Sequence, residues 1–254
     1  MKAAIIGHTG FVGGNITSQQ TFDFRFNSTN IQEIRDQKFD LLVVAAPSAA
    51  KWKANQDPET DWKSISELME VLTQVQAKQI VSLSTVDVYK LPVGVNEDSF
   101  IQPEENQPYG KHRFLFEEFI RQHFTQHLIV RLPGLFGKGL KKNFIFDMLN
   151  NNCLDLTHKE SVFQLYSLEN IWRDIQIALA QGITLINFAT EPTSAQEIAR
   201  LCFAKNFDTI TEKPPVSYDM QSKYASLYGK GDVYLYDKEQ VVEQLKAFIK
   251  DYAK

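Results

Sequence analysis

A glycine-rich turn directly after the first apolar run of the chain does most to limit its possible folds. The stretch IIGHTGFVGG, residues 5–14, spaces Gly7, Gly10 and Gly13 three apart, and a short apolar run from Ala3 precedes it. Such glycines permit positive φ and let backbone N–H groups approach a pyrophosphate at the positive end of a helix. The turn therefore predicts a strand followed by a helix, joined either by a phosphate-binding loop or by a plain tight bend.

Apolar segments of strand length alternate with segments of helical periodicity along the chain. The predicted strands are residues 3–6, 22–26, 41–46, 79–84, 128–132 and 184–189. Their near-continuous apolar character is typical of parallel strands buried on both faces. Between them lie segments with one apolar stripe, such as Trp62, Ile65, Leu68 and Leu72. This order predicts the α/β class, a doubly wound parallel sheet.

The regular alternation loosens after about Gly134, and residues 207–236 carry two prolines and two glycines in an irregular pattern. We therefore expect a dinucleotide-binding core over residues 1–136. Residues 137–254 are expected to hold the remaining core elements, interleaved with a small substrate-binding cap lobe.

Composition and charge narrow the class of partner. The net charge of -4 and the pI of about 5.8 indicate no basic surface for nucleic acid. The longest apolar run, residues 41–50, is interrupted by Pro47 and is too short to span a bilayer, and a strand beginning at Ala3 leaves no room for a signal peptide. We expect a cytoplasmic protein with a small-molecule partner and neither a nucleic-acid nor a membrane partner.

The residues of the turn suggest which groups would serve the phosphates. Thr9 and the backbone of Phe11 and Val12 are the candidates. His8 is either a further hydrogen-bond donor to the phosphates or a loop side chain facing solvent.

The residue that would bind the adenosine ribose is expected about 20 residues beyond the glycines, where this chain has Asn27 in place of a carboxylate. The usual marker of NAD is therefore missing. Arg25 is a candidate for a 2′-phosphate or a solvated strand residue. We expect NADP or NAD, with NADP preferred.

Two histidines have the spacing of a metal site on one helix face. His123 and His127 are four apart, but the pattern ends the helix before the strand at Leu128, and no third ligand is evident. We predict no metal site.

A second group of polar residues follows the glycine turn. The stretch VSLSTVDVYK, residues 81–90, ends a predicted strand with hydroxyls, and PYGKHRFLFEEF, residues 108–119, begins a predicted helix. Here the chain resembles the extended short-chain dehydrogenase/reductase (NAD-dependent epimerase/dehydratase) family, whose active site combines a Ser or Thr, a Tyr and a Lys four residues after that Tyr. The stretches FDLLVVAAPSAA and LIVRLPGLFGKGLKKNFIFDML extend the resemblance. Within the family, the likeness is greatest to dTDP-4-dehydrorhamnose reductase-like proteins.

The resemblance implies a Rossmann-like fold and roles for three residues. Tyr109 would exchange a proton with the substrate oxygen, and Thr85 would hold that oxygen by a hydrogen bond. The chain has Arg113 where the family has lysine. A guanidinium still provides positive charge and donors for the nicotinamide ribose, but it does not readily release a proton. Alternatively, Tyr109 and Arg113 only pack together at a helix start.

Further contacts are implied by the same resemblance. Cofactor contacts would come from Ala45, Ala46, Pro47 and Pro133, together with Tyr109 and Arg113.

Asn143 would contact the diphosphate of a substrate. Asp87 either faces the substrate or is a solvated residue at a strand end. Sugar-nucleotide dehydratases carry an acid pair after the threonine, whereas this chain has Val86 before Asp87. A dehydratase reaction would therefore lack one of the two acidic residues that carry its protons, because position 86 is valine.

These observations favour an NAD(P)-dependent oxidoreductase that transfers hydride at a carbonyl or hydroxyl carbon of a sugar-nucleotide-like or other small polar substrate. Two alternatives stay open, an NAD-dependent sugar-nucleotide epimerase and a catalytically degenerate NAD(P)-binding regulatory protein. A homodimer is also open, because helices flanking the sheet often pair two subunits in this family.

Overall fold

The computed structural model describes residues 1–229 and 231–252, and its elements follow the predicted alternation. The strands are β1 (Ala3–Ile6), β2 (Phe24–Phe26), β3 (Lys38–Val44), β4 (Gln76–Thr85), β5 (Val93–Val95), β6 (His127–Leu132), β7 (Gly134–Phe136), β8 (Val162–Phe163), β9 (Leu165–Ser167), β10 (Leu185–Asn187), β11 (Thr193–Ser194) and β12 (Asp219–Met220). The helices are α1 (Phe11–Gln19), α2 (Lys51–Gln56), α3 (Pro58–Leu72), α4 (Pro108–His123), α5 (Phe144–Asn150), α6 (Ile171–Ala180), α7 (Ala195–Phe203) and α8 (Lys238–Tyr252).

Within the described residues, six strands form one sheet in the spatial order β10-β6-β4-β3-β1-β2. Strand β1 pairs in parallel with β2 and β3, and β3 pairs in parallel with β4. The predicted doubly wound α/β class is confirmed. The strand order reverses between β1 and β3, and ligands of sheets of this kind bind beyond the carboxyl ends of the strands at such a reversal.

The observed strands differ from the predicted ones mainly at their starts. Strands β3 and β4 begin earlier than expected because their backbones already pair at Lys38 with Gln76. Four of the six added residues, 38–40 and 76–78, are polar, so a continuous apolar run did not reveal them. Strand β2 begins at Phe24, two residues later than expected.

Two compact units divide the chain. The first comprises Met1–Lys90, Ser99–Arg131 and Ile171–Ile186, and it contains α6 and most of the sheet. The second comprises Leu91–Asp98, Leu132–Asn170 and the residues from Asn187 onwards. The division expected at residue 136 was placed where the pattern loosened. In the structure, the chain leaves the first unit after Arg131 and returns to it at Ile171.

Buried aliphatic side chains fill both faces of the sheet in the first unit. Ile5, Val43, Ile80 and Ile129 have no exposed surface. The burial of these central strand residues on both sides explains their continuous apolar runs.

The second unit has an aromatic core and a capped helix. Phe144 stacks on Phe163, with ring centroids 5.7 Å apart, and meets Phe207 edge-on at 5.1 Å. Helix α7 begins with a capping box, in which Ser194 Oγ accepts from Glu197 N at 3.2 Å. Of the helices described, none has the length and apolar character that crossing a bilayer requires.

Candidate functional site

The glycine turn joins β1 to α1 at the point where the strand order reverses. Gly7 has φ of 85°, and a Cβ placed there would lie 2.4 Å from the carbonyl oxygen of Ala45, just beyond β3. A Cβ on Gly13 would lie 2.2 Å from the carbonyl oxygen of Gly7. The turn therefore brings β1, α1 and the end of β3 together at distances that only glycine permits.

The N-terminus of α1 offers backbone donors beside this turn. Gly10 is the N-cap residue and has no side chain to satisfy them, and the first helical hydrogen bond runs from Gly14 N to Gly10 O at 2.8 Å. Across the described residues, the N–H groups of Phe11, Val12 and Gly13 have no protein acceptor. Unpaired N–H groups at the positive end of a helix favour an anion.

His8 and Thr9 lie in the turn itself. The Nδ1 atom of His8 lies 3.0 Å from the carbonyl oxygen of Phe26, at the end of β2. A hydrogen bond there leaves Nε2 as the nitrogen that could reach a phosphate, so this role of His8 stays a prediction. Thr9 is exposed.

Asn27 directly follows β2, where the ribose contact was predicted. Its Oδ1 accepts hydrogen bonds from Thr29 N at 2.9 Å and from Thr29 Oγ1 at 2.6 Å. This Asx turn directs the amide oxygen to the chain itself. Arg25 is exposed on β2.

Thr85 and Tyr109 come together from two distant segments. Thr85 is the last residue of β4, and Tyr109 is the second residue of α4. The Thr85 side chain lowers the pKa of Tyr109, so the end of β4 lies near the phenol. The structure thus brings together the two groups that were predicted to share a substrate oxygen.

The Tyr109 phenol is kept protonated by its surroundings. Tyr109 is only 7% exposed. This burial raises the pKa of Tyr109 above its usual value, although the Arg113 guanidinium lowers it. The Asp87 carboxylate raises this pKa further, whereas Thr85 and Lys51 lower it. At neutral pH, the Tyr109 phenol therefore holds its proton.

Arg113 stacks on Tyr109 and is bound by an acid that the sequence did not reveal. Its guanidinium carbon lies 4.0 Å from the centre of the Tyr109 ring. Asp61 of α3 binds the guanidinium with both oxygens, at 2.5 and 2.9 Å. Burial tends to raise the pKa of Asp61, but the hydrogen bonds from Arg113 and His112 hold it below its usual value. Arg113 thus pairs with Asp61 as well as packing on Tyr109.

A buried charged network fixes α4 against the end of β4. Glu117 lies on the same face of α4 as Tyr109, eight residues later. Its Oε1 accepts from Ser84 Oγ at 2.5 Å, and its Oε2 lies 2.6 Å from Arg131 Nη2. Arg131 also donates to the Tyr89 hydroxyl at 2.7 Å. These bonds anchor the helix that carries Tyr109 to the strand that carries Thr85.

The start of α4 also lies against the turn that follows β4. A Cβ on Gly110 would lie 1.9 Å from the carbonyl oxygen of Asp87. Asn106 Nδ2 donates to the carbonyl oxygens of Asp87 and Val88 at 2.9 and 2.8 Å. The glycine after Tyr109 is therefore required for the contact between the helix and the turn.

Pro133 and Asn143, two further predicted contacts, belong to the second unit, whereas Ala46 and Pro47 belong to the first unit and follow β3. Asn143 is the N-cap of α5, where its Oδ1 accepts from Ile145 N at 3.0 Å and Phe146 N at 3.1 Å. Its Nδ2 donates to Leu135 O at 2.8 Å. The diphosphate contact predicted for Asn143 stays a prediction, and these bonds give it a structural role within its own unit.

The two histidines that raised the question of a metal do not share a helix. Helix α4 ends at His123, and His127 begins β6 with its Nδ1 2.8 Å from Phe124 O. The helix boundary predicted between them is therefore confirmed.

A family model identifies the chain. The model described as the RmlD substrate binding domain matches residues 1–161, which include the glycine turn, Thr85 and Tyr109. The chain belongs to the RmlD substrate binding domain family. The family resemblance predicted from the sequence is confirmed.

Solved structures share the fold of this RmlD-family chain at low sequence identity. A dTDP-4-dehydrorhamnose reductase from Clostridium acetobutylicum is 20% identical, with 100% of each chain covered and a TM-score of 0.74. The same enzyme from Bacillus anthracis, in complex with NADP, is 17% identical, with 99% of each chain covered and a TM-score of 0.77.

A UDP-N-acetylglucosamine 4-epimerase from Methanobrevibacter ruminantium, in complex with UDP-N-acetylmuramic acid, is 14% identical. The alignment covers 99% of this chain and 98% of the epimerase, with a TM-score of 0.75. Curated protein sequences give no significant match.

Several residues of the RmlD-family site were missed from the sequence. These are Lys51 and Asn55 of α2, Asp61 of α3, Glu117 of α4 and Arg131 of β6. Of these residues, only Glu117 could have been predicted from the sequence, because its spacing from Tyr109 places both on one face of a helix. The others lie on separate segments that are brought together by tertiary packing.

Proposed function

We propose that this RmlD-family chain is an NAD(P)-dependent oxidoreductase that reduces a carbonyl carbon of a sugar-nucleotide-like or other small polar substrate. The observation that carries the proposal is the buried Tyr109 phenol near the Thr85 hydroxyl at the end of β4, with the Arg113 guanidinium stacked on the phenol ring. Such a pair can hold one substrate oxygen and give it a proton.

The residues at the reversal of strand order fit a dinucleotide. Gly10 has no side chain, so the unpaired N–H groups of Phe11 and Val12 are not covered. A pyrophosphate needs such accessible N–H groups as hydrogen-bond donors. When bound, the nicotinamide supplies hydride to the carbonyl carbon or accepts it back. NADP is the preferred form, because Asn27 stands where a carboxylate would repel a 2′-phosphate and Arg25 is exposed nearby on β2.

The chain's own residues provide orientation and the proton. Thr85 holds the substrate oxygen beside Tyr109. The Tyr109 hydroxyl donates its proton to that oxygen as negative charge develops there. The stacked Arg113 guanidinium favours the resulting phenolate.

Reduction and epimerisation start from different protonation states of Tyr109. An epimerase must first oxidise its substrate, which requires a phenolate at Tyr109. Burial instead raises the pKa of Tyr109 and keeps its proton in place. The same hydroxyls would serve an epimerase, but this protonation state is the one that reduction needs.

A second candidate is an NAD(P)-binding regulatory protein without turnover. The observation in its favour is the bidentate pair between Arg113 and Asp61. This pair directs the N–H groups of the guanidinium to α3. The family resemblance implied instead that these N–H groups would bind a nicotinamide ribose.

Cofactor binding followed by a substrate screen tests the proposal. NADPH and NADH are titrated by fluorescence, and carbonyl compounds and 4-keto sugar nucleotides are then screened with the wild type and with Tyr109→Phe. We expect NADPH to bind to both proteins and only the wild type to turn over substrate. Tight binding without turnover of any compound would favour the regulatory protein, and absence of binding would refute both.

A further inference from the structure

Arg113 has little hydrogen-bonding capacity left for a ligand. Its Nη1 donates to Asp61 Oδ2 at 2.5 Å and to Tyr109 O at 3.4 Å. Its Nη2 donates to Asp61 Oδ1 at 2.9 Å and to Ser48 O at 2.6 Å. The four hydrogens on these nitrogens are thus matched by four protein acceptors. The residue is 5% exposed, and Asp61 balances its charge.

Lys51 is a second cation whose charge lowers the pKa of Tyr109. Its Nζ lies 2.6 Å from Asp87 Oδ1, and its side chain is 45% exposed. Four residues later on α2, Asn55 Oδ1 accepts from Tyr109 N at 2.9 Å. One face of α2 therefore contacts both the turn after β4 and the first turn of α4.

Asp87 connects Lys51 to the two hydroxyls. Asp87 N donates to Thr85 Oγ1 at 3.2 Å, and Thr85 Oγ1 lies 3.5 Å from Asp87 Oδ2. Thr85 in turn lowers the pKa of Tyr109. An unbalanced carboxylate here would oppose negative charge on the phenol and on a substrate oxygen. The ammonium of Lys51 offsets that charge.

We propose that Lys51 is a positioning residue of this site, which acts through Asp87 to supply the ammonium charge that position 113 lacks. The inference rests on the proposed function, because it gives Tyr109 the task of proton donor. The charged groups that face Tyr109 are Arg113 from its own helix, Asp87 from the turn after β4 and Lys51 from α2. In this arrangement, Arg113 binds α3 and stacks on the phenol, while Lys51 balances Asp87.

The ionisation of Tyr109 tests the inference without any substrate. Difluorotyrosine placed at position 109 ionises at lower pH than tyrosine, and ¹⁹F NMR follows it in the folded protein. We expect Lys51→Met to raise this ionisation pH by about half a unit or more, because an opposite charge has been removed. Lys51→Arg should restore the wild-type value. The matched control is Lys53→Met, an exposed lysine on the same helix, which should leave it unchanged.

A double variant separates the charge effect from a change in packing. If Lys51 acts through Asp87, then Lys51→Met should shift the ionisation much less in an Asp87→Asn background than in the wild type. An equal shift in both backgrounds, or the same ionisation pH in Lys51→Met and Lys53→Met, would overturn the inference.

Turnover tests the proposed function separately from the role of Lys51. If the ionisation shifts as expected but no substrate is reduced, the charge role of Lys51 stands and the oxidoreductase proposal fails. If substrate is reduced and the ionisation of Tyr109 does not depend on Lys51, the oxidoreductase proposal stands and the charge role of Lys51 fails. With an active enzyme, we expect Lys51→Met to lower kcat about tenfold, with NADPH affinity kept and Lys51→Arg close to wild type.

Discussion

The glycine turn and the Tyr109 cluster, here defined as Thr85, Asp87, Tyr109, Arg113 and Lys51, are built in different ways. The turn is a continuous stretch whose geometry is set by the backbone, with Gly7 and Gly13 in contacts that exclude a Cβ. The cluster takes side chains from α2, the end of β4 and α4, and Asp61 of α3 supports it.

This difference determines what each region can tolerate. The turn depends on small residues and unpaired backbone N–H groups, so added side chains should harm it. The cluster depends on paired charges, so the loss of one partner leaves the other buried and unbalanced. Substitutions in the cluster should therefore change stability or turnover, whereas substitutions in the turn should change the affinity for the cofactor.

The largest expected effect is on the stability of the cluster. Asp61→Asn leaves the buried Arg113 guanidinium without its carboxylate, and we expect it to lower the free energy of unfolding by about 3 kcal/mol. Denaturant unfolding at pH 7 measures this. Glu59→Gln, an exposed position on the same helix, is the control and should change stability by only a few tenths of a kcal/mol.

The pH dependence of that effect has a definite sign. The pKa of Asp61 is lowered in the folded protein, so its contribution is present above the unfolded value of about 3.9 and is lost as pH falls through the folded value. The gap between wild type and Asp61→Asn should accordingly narrow in acid. A gap that widened there would contradict the assigned ion pair.

The next effect in size is on chemistry alone. Thr85→Val removes the hydroxyl beside Tyr109 with little change in volume, and we expect kcat/KM to fall about 100-fold, which corresponds to about 2.7 kcal/mol. NADPH affinity should not change, since the turn is intact, and Thr85→Ser should keep most of the activity. Equal activity of the valine and serine variants would exclude a role for the hydroxyl.

A smaller effect is expected in the turn. A Cβ on Gly10 meets only the Gly7 carbonyl oxygen, at 3.3 Å, so Gly10→Ala should fold while partly covering the unpaired N–H groups. We expect NADPH to bind about tenfold more weakly, a loss of about 1.4 kcal/mol.

The neighbouring glycine provides the control. A Cβ on Gly14 lies 3.7 Å from the nearest atom, so Gly14→Ala should bind NADPH normally and gain about 0.5–1 kcal/mol of helix stability. If both variants bind NADPH as the wild type does, the phosphates do not lie on this turn.

The same difference explains what could be predicted from the sequence. The turn and the six strands were predicted because each is a local pattern with a local physical cause. Thr85 and Tyr109 were found through family resemblance, and their proximity then followed from the topology of β4 and α4.

The charge balance of the cluster could not be predicted in this way. Asp61 and Lys51 are ordinary surface-type residues in the sequence, on helices whose spacing predicts only which face is apolar. Their pairing with Arg113 and Asp87 depends on how α2 and α3 pack against α4. The sequence therefore predicts a ribose contact for Arg113, because its pairing with Asp61 is visible only in the packed structure.

The proposed function depends on the transfer of the Tyr109 proton to the substrate oxygen. It is tested most directly by the pH dependence of single-turnover NADPH oxidation with the carbonyl substrate, in the wild type and in Tyr109→Phe. We predict that the wild-type rate is constant through neutral pH and falls only above the usual tyrosine value of about 10, because the pKa of Tyr109 is raised. Tyr109→Phe should be at least 100-fold slower, with no such fall. A phenylalanine variant that matched the wild type in rate and pH dependence would contradict the account.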